Sequence, residues 1–349
     1  MYDLAVNAGT VKVGIIGASG YTGVELLRLC AGHPELQVIY ATGDTQAGTR
    51  AGELYPSVAA AYPDLVFAPY DPDDAAGLDV AFCALPHGQS QRIVPEMRGK
   101  VGHIVDLAAD FRLRDARLYP TWYGEEHTAP ALLAEAAFGL PELFREDLKG
   151  ATLVAAAGCY PTAAALALAP FLRAGAIEPT GIIVDAASGV SGAGRGLKAT
   201  TQFNTVDEDF TAYGLLTHRH TPEIEQAIGA EVLFTPHLAP MNRGILATCY
   251  ARPAGGNVGT TAAALALLAR RYAGEPFIVV SEASPSTKAT LGSNCAHLSA
   301  RVDQRTGWLV VLCALDNLVK GASGQAVQCA NLALGLPEAM GLPTVGLYP

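Results

Sequence analysis

The sequence predicts an α/β chain in two parts, a parallel sheet flanked by helices followed by an α+β unit on a mostly antiparallel sheet. Three observations carry this. Strand-like and helix-like runs alternate up to about residue 155, a pattern that favours parallel strands with crossover helices. A glycine-rich turn closes the first strand-like run and opens the first helix-like one. Beyond Cys159 the strand-like runs lengthen, a layout nearer to α+β with a mostly antiparallel sheet.

In order along the chain, Val11-Lys-Val-Gly-Ile-Ile16 is a β-rich run that stops at glycine. Val24 to Ala31 then places Leu26, Leu27 and Cys30 at helical spacing. Further strands are expected at Leu36–Thr42, Asp79–Leu85 and Val101–Leu107. The Ala/Leu-rich run Thr162–Ala174 reads as a helix. The second part offers strands at Gly181–Ala187, Val232–Pro236, Ile245–Arg252, Ala296–Val302 and Trp308–Leu315. A last helical pattern, from about Leu318 to Leu334, is expected to pack back on the first part.

Composition narrows the function classes. With 349 residues, half of them hydrophobic and 16% charged, the chain has material for two sizeable cores and little tendency to disorder. A formal net charge of −10 argues against nucleic acid or an anionic membrane as the main partner. No apolar stretch approaches the ~20 residues of a membrane span. Met1-Tyr-Asp-Leu4 lacks the basic-then-apolar pattern of a signal peptide, so a cytoplasmic location is expected. The seven cysteines show no metal spacing, and most sit in apolar runs, as core residues of a reducing compartment do. No metal site is expected.

The turn Gly17-Ala-Ser-Gly-Tyr-Thr-Gly23 has a strand before it and a helix after it, the context in which backbone N–H groups cradle a pyrophosphate. Gly17, Ser19, Gly20, Tyr21, Thr22 and Gly23 are therefore cofactor candidates, and His87, after a strand end in Leu85-Pro-His-Gly88, is expected to line the same cleft. In the loop after the second strand, Thr42, Thr45 and Arg50 suit a 2′-phosphate whereas Asp44 opposes one, which leaves NAD and NADP both open. We expect residues 1–155 and 325–349 to form the dinucleotide-binding domain, and 156–324 the catalytic and oligomerisation domain.

Cys159 differs from the other cysteines. Ala155-Ala-Ala-Gly-Cys-Tyr-Pro-Thr162 leaves a strand and starts a helix at the cysteine, where the helix dipole and free N–H groups are expected to lower the thiol pKa and to hold an oxyanion. A thiolate nucleophile needs a proton partner, and His218-Arg-His220, just before a helix start, supplies two imidazoles. Two residues apart on an extended segment, both rings would face one cleft. His220 is the choice for proton transfer with His218 orienting, although the roles could be exchanged. Ser188-Gly-Val-Ser-Gly-Ala-Gly-Arg195 makes a second anion-binding loop. Ser188, Arg195, Arg112 and Arg219 are candidates for the substrate, with a surface ion pair as the alternative for Arg112.

These motifs resemble those of one family, the N-acetyl-γ-glutamyl-phosphate reductases of arginine biosynthesis. The matching stretches also include Ala109-Asp-Phe-Arg-Leu113, Gly139-Leu-Pro-Glu142, His218-Arg-His-Thr-Pro-Glu223, Arg243-Gly-Ile-Leu246 and Asp316-Asn-Leu-Val-Lys-Gly321, in the family's order over nearly the whole chain. The resemblance implies a Rossmann-type first domain, a glyceraldehyde-phosphate-dehydrogenase-like second domain, and NADP(H). It implies Cys159 as nucleophile, assistance by the histidine pair, and Asn317 at the nicotinamide end, with Ser191 and Gly192 of the second loop on the cofactor. It further implies a small acyl-phosphate substrate and a homodimer or homotetramer. A branch that reduces a carrier-linked substrate looks more like Gly-Cys-Asn-Ala where this chain has Gly158-Cys-Tyr-Pro161. A non-catalytic dinucleotide sensor would account for the first glycine turn but not for the cysteine turn, the histidine pair or the second loop.

Overall fold

The computed structural model describes residues 10–254 and 258–349. The Met1–Leu4 pattern lies outside the described residues. Six strands form one all-parallel sheet: β1 (Val11–Ile16), β2 (Leu36–Ala41), β3 (Val80–Cys83), β4 (His103–Asp106), β5 (Ala137–Gly139) and β6 (Leu153–Ala156), in the order β2-β1-β3-β4-β6-β5. Successive residues point to opposite faces, and both faces are buried. Val13 and Ile15 join Phe82, Val105 and Val154 in one apolar cluster, while Ile16 joins Ala81, Cys83, Ile104 and Leu153 in another. The order reverses at β1, whose carboxyl end therefore opens on a crevice. Helix α1 (Tyr21–Ala31) leaves from that end and covers one face. Helix α2 (Ser90–Met97) covers the other, and α3 (Pro141–Leu148) precedes β6.

A second sheet has seven strands: β7 (Ile182–Gly189), β8 (Thr211–Ala212), β9 (Val232–Ala239), β10 (Ile245–Ala251), β11 (Ile278–Val280), β12 (Ala296–Asp303) and β13 (Trp308–Leu315), ordered β11-β12-β13-β10-β7-β9-β8. It is mixed: β7 pairs with β9, and β11 with β12, in parallel, and the other four pairings are antiparallel. Helices α4 (Cys159–Arg173), α5 (Thr221–Ile228) and α6 (Thr261–Arg271) contribute to the core of this part. Residues Tyr160 to Phe171 of α4 are all buried, consistent with a helix that has no polar face. On the sheet, Ala247, Cys249 and Ala251 of β10 are buried, whereas Leu246, Thr248 and Tyr250 between them are half-buried.

The last helical run divides. One π-helical turn, Val319–Ser323, leads into α7 (Gly324–Ala333), whose Ala326, Val327, Cys329 and Ala330 share the apolar cluster of β1 and α1. Ion pairs tie the parts together: the partly buried Arg243, before β10, donates to Glu25 of α1 (2.7 Å), and the buried Lys320 of the π-turn donates to Glu142 of α3 (2.5 Å).

Candidate active site

The glycine-rich turn follows β1 directly. Gly17 has φ +89°, and a Cβ there would lie 2.5 Å from the Ala84 carbonyl oxygen, so both conformation and packing require glycine. A Cβ on Gly23 would lie 2.5 Å from the Ala18 Cα, which demands glycine where α1 packs on the turn. At Gly20 a Cβ would meet one atom at 3.6 Å, so packing leaves room there. Gly20 caps α1 with no side-chain hydrogen bond, and the uncapped helix end beside an open cradle fits a pyrophosphate. Ser19 Oγ donates to the Gly43 carbonyl (3.0 Å), and Thr42 Oγ1 accepts from the Gly17 N–H (2.9 Å). Thr42 thus braces the turn. Thr45 and Asp44 stand exposed on the following 3₁₀ turn, and Arg50 is spent on Pro63 and Asp64.

The second cleft wall is the loop after β7. Its backbone is zipped to residues 241–244: the N–H groups of Gly189, Val190 and Ser191 donate to Gly244, Met241 and Asn242. Asn317 locks the arrangement, since its Oδ1 accepts from the Gly244 N–H (2.7 Å) and its Nδ2 donates to Ser191 Oγ (3.0 Å). Ser188 is buried, Gly192 is exposed, and Arg195 stands exposed beyond them.

Between these walls lies the cysteine turn. Strand β6 runs through Ala157 to Gly158, which is extended (φ −67°, ψ 160°) and caps α4, whose first residue is Cys159. Among the seven cysteines Cys159 alone is not fully buried. A Cβ on Gly158 would come within 2.7 Å of both Arg112 Nη1 and His220 Nε2, and one on Gly321 within 2.7 Å of the Cys159 Cβ. Glycine at both positions lets these groups close around the sulfur. Gln325 of α7 donates to the Ala157 carbonyl (3.3 Å) and Thr162 Oγ1 (3.0 Å), bracing the turn from beneath.

The expected low thiol pKa is not what the structure gives. Burial pushes Cys159 up to about 11, although the Arg112 guanidinium and the N–H groups of Tyr160 and Cys159 itself pull the other way. Enclosure of the sulfur outweighs the helix terminus, so the free protein holds a neutral thiol at pH 7. To act as a nucleophile this cysteine would have to give its proton to a base.

Two imidazoles stand by, brought together by a turn rather than the extended segment anticipated from the sequence. The His220 N–H donates to His218 Nδ1 (3.1 Å), and the rings lie 4.9 Å apart at 68°. Burial, with a smaller push from Arg219, holds His218 down at about 4. Burial and the nearby His218, Arg112 and His87 hold His220 well below the usual range. Both rings are neutral at pH 7 and able to accept a proton. Tyr160 packs edge-on against both, and its hydroxyl accepts from Tyr213 (3.1 Å).

Arg112 is a buried residue, 6% exposed, and not a surface ion pair. Its Nη2 donates to the Leu107 carbonyl (2.6 Å), and its Nη1 lies 3.4 Å from Glu223 Oε2. Glu223 is fully buried and its Oε1 accepts the Gly158 N–H (2.7 Å). Nothing along the sequence marks this glutamate for a role, because its partners lie 65 and 111 residues away. His87 accepts the Ala109 N–H (3.1 Å), and burial, with smaller pushes from Arg219, Arg112 and His218, holds its ring down at about 3. Arg219 is exposed and lies over the Tyr123 ring. Among the described residues no group of three or more His, Cys, Asp or Glu could hold a metal, and no helix is long and apolar enough to cross a membrane.

Residues 12–151 match the semialdehyde dehydrogenase NAD-binding domain family, and residues 159–317 the semialdehyde dehydrogenase dimerisation domain family. The N-acetyl-gamma-glutamyl-phosphate reductase of Symbiobacterium thermophilum is 49% identical, with 97% of this chain and 100% of the relative covered. That of Ectopseudomonas mendocina is 46% identical over the same shares. This chain belongs to the N-acetyl-gamma-glutamyl-phosphate reductase family. It is therefore an NADP-dependent oxidoreductase, and Cys159 is the first residue of the dimerisation-domain match. The fold of the reductase is that of aspartate semialdehyde dehydrogenase II of Vibrio cholerae (TM-score 0.69, 14% identity, 93% of this chain and 98% of that one). It is also that of the Candida albicans aspartate semialdehyde dehydrogenase determined with NADP (TM-score 0.65, 13% identity, 93% and 98%).

Proposed function

We propose that the reductase converts N-acetyl-L-glutamyl 5-phosphate to N-acetyl-L-glutamate 5-semialdehyde through a thioester on Cys159. The supporting observation is the convergence of a single accessible cysteine, two neutral imidazoles and a buried guanidinium at one helix start. His220, whose Nε2 is turned toward the Gly158 turn, takes the thiol proton as the sulfur attacks the acyl carbon. The N–H groups at the start of α4 stabilise the oxyanion, and phosphate leaves. The Gly17–Gly23 cradle would hold NADPH, which would supply the hydride that reduces the thioester. The resulting thiohemiacetal releases the semialdehyde as the sulfur departs, and the proton held by His220 returns to it.

His218 orients His220. Ser188, Arg195, Arg219 and Arg112 serve the substrate, and Asn317 with Ser191 and Gly192 serves the nicotinamide end. Gly17 to Gly23, Thr42, Thr45 and His87 complete the cofactor side. The domain division is 1–155 with 325–349 against 156–324, of which residues 1–9 and 255–257 lie outside the described set. The half-buried face of the seven-stranded sheet, with Leu246, Thr248 and Tyr250, is the natural surface for a homodimer, which two such dimers would extend to a tetramer. The acidic charge and the absence of a long apolar helix among the described residues suit a cytoplasmic enzyme.

Steady-state kinetics of Cys159→Ser and His220→Asn test the scheme. Cys159→Ser should lose at least about 10³-fold in kcat, and His220→Asn about 10²- to 10⁴-fold, with KM little changed. A Cys159→Ser variant that keeps more than a tenth of the activity rules out the thioester.

A further inference from the structure

We infer that Glu223 is a positioning residue of this reaction, its buried carboxylate locking the turn that carries Cys159 to the helix that carries His220 and holding the Arg112 guanidinium beside both. The inference rests on the proposed role of Cys159 and His220 and deepens it.

Local preference would place this carboxylate elsewhere. His220 caps α5 and Glu223 stands three residues on, where a glutamate ordinarily reaches back to the N–H of the capping residue. Here that N–H is already given to His218 Nδ1. Glu223 is free to reach across to another helix. Its Oε1 accepts the Gly158 N–H at 2.7 Å, one residue before the sulfur, and its Oε2 faces Arg112 Nη1 at 3.4 Å. The starts of α4 and α5 are thereby joined through one side chain that solvent does not reach. The bare Gly158 Cα leaves the space in which Arg112 Nη1 and His220 Nε2 converge. Sulfur, imidazole and guanidinium are held in register by the same carboxylate.

The arrangement also sets charge. The titratable groups around the sulfur are Arg112, Glu223, Tyr160 and Tyr213, with the two neutral imidazoles next to them. Arg112 favours the thiolate and Glu223 opposes it. Glu223 therefore moderates the pull of the guanidinium and adds to the burial that keeps the thiol protonated. Removing the charge while keeping the acceptor should make the sulfur ionise more easily and yet react with substrate more slowly. A residue that merely stabilised the fold would not give those opposite signs.

The test compares Glu223→Gln and Glu223→Asp with the unsubstituted reductase. It measures kcat and KM with N-acetylglutamyl phosphate and NADPH, and the pH dependence of iodoacetamide alkylation at Cys159, located by peptide mass. Near-UV circular dichroism checks that each variant is folded. Glu223→Gln should lose about ten- to a hundredfold in kcat with KM within about threefold, and its alkylation profile should move to lower pH. Glu223→Asp keeps the charge but is one methylene short of spanning both partners. It should lose kcat to a similar extent with an alkylation profile close to that of the parent. If Glu223→Gln does not fold, the aspartate variant decides the positioning claim. Wild-type kcat in either folded variant, or a slower Glu223→Gln whose alkylation profile does not move, overturns the inference. Failure of the thioester scheme itself is read separately, from retained activity in Cys159→Ser.

Discussion

Helices α1 and α4 begin alike and behave differently. Each follows a strand of the same parallel sheet, each is capped by a glycine in extended conformation, and neither cap has a side chain to satisfy the first N–H groups. At α1 the space in front of the helix is open, since a Cβ on Gly20 would find one neighbour at ordinary contact distance. At α4 the same space is filled by Arg112 and His220, with Glu223 holding the turn. The first is open to an external group. The second encloses its own cysteine so closely that desolvation overrides the helix terminus and leaves the thiol neutral. A helix start states a polarity; what surrounds it decides whether that polarity meets a ligand or a buried side chain.

The largest effect expected from this contrast is in the pH dependence of Cys159 alkylation. With the thiol held up at about 11, the rate in the free reductase should climb about tenfold per pH unit from pH 7. A plateau reached by pH 8 would mean that α4 polarises its sulfur as freely as α1 would, and the contrast would fall. On the cofactor side, Gly17→Ala forces a side chain into a positive-φ position against a backbone oxygen. It should cost about 3 kcal/mol in urea unfolding and raise the Kd for NADPH more than tenfold. Asn317→Ala probes the opposite wall and leaves the buried Gly244 N–H without its partner. A loss of about 2 kcal/mol in urea unfolding, with a fewfold drop in kcat, is expected. Smallest is Arg195→Ala, an exposed residue whose loss should leave Tm within about 2 °C and raise the KM for the acyl phosphate severalfold. An Arg195→Ala variant that unfolds would show that the second loop is built like the first.

How much of this could be read in advance follows the range of the forces involved. The strand Val11–Ile16 and the strand Trp308–Leu315 have the expected bounds, because glycine closes the first hydrophobic run and precedes the second. The short edge strands Thr211–Ala212 and Ile278–Val280 are too brief for any periodicity to mark them. The second sheet was expected to be mostly antiparallel and is so in four pairings of six, but strand composition says nothing about the direction in which β7 meets β9. Arg112 could be a surface or a buried residue on sequence grounds, since its carbonyl and carboxylate partners are assembled only by the fold. The histidines lie together as anticipated, by a different backbone route.

From its residues alone this chain declares the glycine turn, the cysteine at a helix start, the histidine pair and the alternation that builds a parallel sheet, because each is set by neighbours along the backbone. Tertiary structure alone decided the protonation of the sulfur, the burial of Arg112 and the work of Glu223. Those depend on charge and desolvation between groups that are distant in the chain and a few ångströms apart in space.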